Sequence, residues 1–188
     1  MTVLRIMLFG LLICLAMTGT GTSQQNSPPE TLVAPRSCPV TVPPASPFTP
    51  PSPYPSDPGE DSFLIGTDKL WIDVSKSGIW HSWRPYHTPG REHRTEHLTA
   101  KTFWWSADYN LQKDGGNPDL KVTGRRLDGE SHPLVAMEPT NAFPSPATAM
   151  LVGVYIPTAG CWEITGEYKG QKLSFVIWVT PRGLKSGK

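Results

Sequence analysis

From residue 62 onward, apolar and polar positions alternate in short runs broken by turn residues. The runs predict strands over 62–66, 69–74, 79–83, 101–105, 119–125, 133–138, 148–156, 161–168 and 171–180. Turn chemistry separates them: Ser77-Gly78, Asp114-Gly115-Gly116-Asn117, Asp128-Gly129 and Lys169-Gly170. No helix-length window carries a 3.6-residue period. Frequent β-branched and aromatic residues at this spacing predict an all-β chain, an antiparallel sandwich or barrel of about seven to nine strands. The domain is expected over residues 59–181, with a flexible tail at 182–188.

The last two runs specify their own register. If Lys169-Gly170 is a two-residue turn, Tyr168 faces Gln171, Gly166 faces Leu173, Ile164 faces Phe175 and Trp162 faces Ile177. That set is apolar and predicts the core face. The other face pairs Glu167 with Lys172, Thr165 with Ser174, Glu163 with Val176 and Cys161 with Trp178. An indole on this outer face requires a cover.

The N-terminal region reads differently. Arg5 precedes an apolar run from Ile6 to Met17, and small residues follow from Thr18 to Ser23. This is the order of an export signal over residues 1–23. The run is too short to span a hydrocarbon core of about 30 Å as a helix. Lipidation at Cys14 fits poorly, because Ile13 stands where a small residue is required. Residues 24–58 form a Pro-rich arm, with 12 of the chain's 21 prolines at 28–58. Proline fixes φ and removes an N–H, so this stretch predicts an extended, partly polyproline-II spacer.

Removing the signal leaves two of the three cysteines, Cys38 and Cys161. An even pair in an exported chain predicts a disulfide; the alternative is two separate buried thiols. Closing a loop of about 120 residues would contribute about 5 kcal/mol on chain entropy alone. Such a bond would draw part of 35–45 over Trp178.

Composition narrows the function classes. The 17 Lys and Arg against 16 Asp and Glu become balanced once Arg5 is removed. A balanced chain lacks the basic surplus that nucleic acid or anionic lipid demands. No P-loop, G-x-G-x-x-G or G-x-S-x-G string is present.

Several strings together carry a resemblance: Cys38-Pro39-Val40-Thr41, Lys101 to Trp105, Val122 to Asp128, Gly160 to Gly166 and Leu173 to Val176. Over roughly 38–180 the chain resembles a family of small exported bacterial proteins with an immunoglobulin-like sandwich. The resemblance implies export and a β-fold, and brings no reaction and no catalytic residue. Residues 84–98 look like an insertion relative to that pattern.

Two constellations carry candidate chemistry. His93-Arg94-Thr95-Glu96-His97 fits H-x-x-E-H, which in inverted zinc peptidases sits on a helix with both His on one face and Glu as base. At most two helical turns fit between Pro89-Gly90 and the strand at Lys101. Metal binding by His87, His93 and His97 is the weaker form of this reading, and a solvated polar loop is its plain alternative. The second constellation is Trp80, Trp83, Trp104 and Trp105, with Trp71 nearby. Indoles stack on sugar rings, but Trp also fills cores. Adjacent Trp104 and Trp105 point to opposite sides of their strand. Arg125-Arg126-Leu127-Asp128 reads as a strand end with an Asp-Gly turn. The sequence thus points to an exported non-enzymatic module that needs no cofactor. Its expected partner is an envelope or extracellular protein or a glycan.

Overall fold

Alternation and turn chemistry produce eleven strands among the described residues. The computed structural model describes residues 32–81, 83–86 and 95–183. In chain order the strands are β1 (Ser62–Thr67), β2 (Leu70–Ser75), β3 (Ile79–Trp80), β4 (Trp83–Tyr86) and β5 (Thr95–Trp105). A four-residue helix α1 (Leu111–Asp114) follows, capped by the Asn110 side chain. Then come β6 (Lys121–Arg126), β7 (Val135–Ala136), β8 (Thr140–Ala142), β9 (Ala149–Ile156), β10 (Gly160–Tyr168) and β11 (Gln171–Val179).

They form two sheets. One runs β1-β2-β5-β9-β7, with β4 also on β5 and β8 also on β9; the other runs β3-β11-β10-β6. Pairing is antiparallel except for β3, which runs parallel to β11. The count exceeds the seven to nine strands expected because short pieces add to it: two-residue β3 and β7, and three-residue β8. The expected signal at 1–23, the arm's first residues 24–31 and the tail from 184 lie outside the described residues.

The final hairpin has the register its alternation predicts. Lys169 and Gly170 both take positive φ, 46° and 79°. That is the twist of a type I′ turn, which matches the right-handed strands on either side. Trp162, Ile164, Phe175 and Ile177 are buried on the core face. On the opposite face Cys161 pairs with Trp178, and Thr165 with Ser174.

The polar stretch 84–98, expected as an inserted loop, is partly a hairpin. Trp83–Tyr86 pairs with Thr95–Leu98, and Leu98 is fully buried. Pro85 is tolerated because, among the described residues, β4 pairs on one side only. Polar content hid β5's beginning, since an edge hairpin need present few apolar side chains.

The two sheets meet through Trp104. Its indole lies over Gly166 of the facing sheet, where an added Cβ would stand 2.5 Å from Cζ3. The indole Nε1 donates to Thr102 Oγ1 at 3.0 Å, and that hydroxyl donates to the Val152 carbonyl at 3.1 Å. The one polar atom of the indole is therefore satisfied inside the core. Gly166→Ala should cost about 1–3 kcal/mol by overpacking. Urea unfolding of the variant measures this; an unchanged midpoint would mean that the indole moves aside freely.

The Pro-rich segment does not act as a free spacer. Cys38 and Cys161 form a disulfide with Cα atoms 5.4 Å apart. Thr41 N–H donates to the Val176 carbonyl at 2.9 Å, and Val176 N–H donates to Thr41 Oγ1 at 2.7 Å. So the arm lies along the edge of β11, while Trp178 remains half-buried rather than sealed. The chain then crosses to the other sheet, where Phe48 and Tyr54 pack on Trp71. Tyr54 O–H donates to the Ser106 carbonyl at 3.0 Å, anchoring this second contact.

Candidate functional site

Strand alternation sends Ile72 and Trp104 into the core and Trp71, Asp73, Phe103 and Trp105 to the outer side of the larger sheet. Trp71 and Trp105 are register partners across β2 and β5. Both walls over this outer face are proline-bearing: the arm at Tyr54–Pro58 and the loop at Phe143–Ala147. Between them lies a groove of about 540 Å³, a volume suited to a small-molecule or oligomer subsite.

Three aromatic rings shape its floor and rim. Phe103 and Phe143 have centroids 5.3 Å apart, and Trp105 and Phe143 lie 6.3 Å apart with planes only 2° from parallel. Trp105 Nε1 donates to the Ala147 carbonyl at 3.3 Å, tying the loop to the floor. Phe143 is 52% exposed and sits at φ 65°, a conformation rare for a bulky residue. The Phe143 ring thus lies outside the main core, packed against Phe103 and Trp105 with about half of the residue open to solvent.

The groove's charges are of one sign. Among the described residues, Asp57 and Asp73 are the only ionisable acids or bases on its lining apart from Tyr54. Burial holds the Asp73 carboxyl above the usual carboxylate range, opposed by its own backbone N–H. Asp57 Oδ1 accepts the Gly59 N–H at 2.8 Å. Burial also raises the Tyr54 hydroxyl, with the Asp108 charge adding to it.

The residues singled out from the sequence are dispersed. Trp105 lies in the groove. Trp104, expected as a possible platform, is fully buried and never reaches solvent, because it is the plug between the sheets. Trp80 is half-buried and packs on Phe175 with centroids 6.1 Å apart. The Trp83 side chain, like His87 and His93, lies outside the described residues. His97 is placed on strand β5, where burial lowers its pKa and favours the neutral ring. Thr95, Glu96 and His97 open an extended strand, so the helix that H-x-x-E-H requires does not form here. Among the described residues no three His, Cys, Asp or Glu are grouped to hold a metal ion.

Arg125 and Arg126 are committed to ion pairs, at 2.7 Å to Glu163 and 2.7 Å to Asp128. Burial disfavours the charged Asp128 carboxylate, but the Arg126 guanidinium and a hydrogen bond from the Cys161 backbone together hold its carboxyl below the usual range. This corner fastens β6 to β10 and is structural.

Sequence reasoning missed Tyr54, Asp73, Phe103 and Phe143. Alternation along Phe103-Trp104-Trp105 was the one available signal, since it places Phe103 beside Trp105 once Trp104 is inward. Comparisons with protein-family models, curated proteins and solved structures found no match.

Proposed function

We propose that this chain is an exported, non-enzymatic immunoglobulin-like β-sandwich that binds glycan in the groove between its arm and its 143–147 loop. We further propose that it belongs with the small exported bacterial proteins it resembles. The observation that carries the reading is Phe143: exposed, conformationally strained and parallel to Trp105 beside a concave aromatic floor. Flat rings with one free face complement the C–H faces of pyranose rings, and neighbouring acceptors orient the hydroxyls. Export is supported by the Cys38–Cys161 bond, which persists in oxidising compartments. Among the described residues no helix is long and apolar enough to cross a membrane.

Trp105→Ala and Phe143→Ala should each weaken polysaccharide binding by about tenfold or more, the cost of losing a stacking anchor. Phe143→Ala should leave the unfolding midpoint nearly unchanged, because its ring lies outside the core. Calorimetric titration against a panel of soluble oligosaccharides checks both. A panel without a single binder, or binding indifferent to both substitutions, would sink the reading.

A further inference from the structure

The groove's charge pattern specifies its ligand further. Five of the chain's acids are visibly compensated: Asp108 by Lys69, Glu163 by Arg125, Asp128 by Arg126, Asp114 by Lys169 and Glu167 by Lys172. Asp73 makes no ion pair among the described residues, although it is half-buried in an aromatic groove. Among the described residues no Lys, Arg or His lines that groove. A partly dehydrated carboxylate with no cation is a persistent cost to the fold. The rings beside it, Trp105 and Phe103, present faces that attract a cation electrostatically.

Resting on the glycan reading above, we propose that the groove selects a glycan bearing free amino groups, with a sugar ammonium against Asp73 and pyranose faces on Trp105 and Phe143. A glucosamine oligomer has this chemistry: ring faces for stacking, and one cation per residue for the carboxylate. Its N-acetylated counterpart keeps the ring faces but leaves Asp73 uncompensated. An anionic glycan would bring like charge into the groove and be rejected.

The test is calorimetry on the full chain at about pH 6, below the usual range of an amine pKa. Three probes are titrated: a glucosamine hexamer, its fully N-acetylated form, and oligolysine of similar charge. The glucosamine hexamer should bind at least tenfold tighter than the acetylated one, and the preference should shrink with added salt. Asp73→Asn should erase the preference by weakening the glucosamine hexamer at least tenfold. Removing a desolvated charge should leave the variant folded, which its melting curve checks. Asp57→Asn, on the exposed rim, serves as the second variant and should reduce the preference only in part.

Equal binding of the two hexamers, or a preference that survives Asp73→Asn, overturns the charge inference while the glycan reading stands. Oligolysine binding as tightly as the glucosamine hexamer overturns the inference in favour of a basic peptide. Binding by neither hexamer overturns the inference, and the glycan reading then stands or falls on the oligosaccharide panel.

Discussion

Replacing Cys38 and Cys161 by Ser together should lower the unfolding free energy by about 3–5 kcal/mol. The bond closes a loop with a sequence separation of 123 residues, so the unfolded chain gains a large freedom when it is cut. The folded state loses as well. Cys161 is 1% exposed and Cys38 is also buried, so two hydroxyls would replace two apolar sulfurs in a confined space. What remains to hold the arm on β11 is chiefly the pair of hydrogen bonds between Thr41 and Val176, each contributing about 1 kcal/mol. Urea unfolding of wild type with and without reductant, beside the double variant, measures the effect. Reductant and substitution should shift the midpoint alike; a midpoint that ignores both would refute the account.

Trp71→Ala should cost a comparable amount, about 3–5 kcal/mol. Trp71 is 1% exposed, yet it points away from the main core. Its burial comes from the arm: the Tyr54 ring meets it edge-on at 4.8 Å and the Phe48 ring is tilted at 6.0 Å. Removing the indole opens a cavity and also removes the surface on which residues 48–54 rest. The variant should therefore show two signatures, a lowered melting temperature and faster proteolysis within 48–58. It should also lose groove binding, because the arm is one wall. A loss below about 1 kcal/mol with the arm still protected would mean that Tyr54 holds by its bond to Ser106 instead. Trp105→Ala, half-exposed, should cost clearly less.

Legibility followed the range of the interactions. The final hairpin was readable to single-residue register because a two-residue turn and period-2 alternation are both local. The disulfide was readable by parity once one cysteine was assigned to the signal. Residues 95–98 were hidden because an edge hairpin carries Thr, Glu and His where a central strand would carry Val or Ile. The arm was half understood. Its prolines do keep it out of the sheet interiors, but nothing near Phe48 or Tyr54 announces that their partner is Trp71 on a later strand. The groove was least visible, since it is assembled from the arm, β1, β2, β5 and the 143–147 loop, and a position such as Asp73 gains meaning only when those segments converge. Counting indoles gave one groove residue and one interior plug from adjacent positions, Trp105 and Trp104.

Fastening residue 38 to residue 161 also sets the route by which tension would travel. A pull delivered through the segment before Cys38 enters at the start of β10, and one delivered beyond Val179 leaves from the paired end of β11. Force between those two points loads the hairpin's ladder from one end, bond by bond. The larger sheet and the groove stand outside that path, whereas Thr41 and β3, bonded to β11 at Val176 and at Trp178–Val179, would be loaded with it, so a stretched molecule would begin to open at its last hairpin before its groove is disturbed.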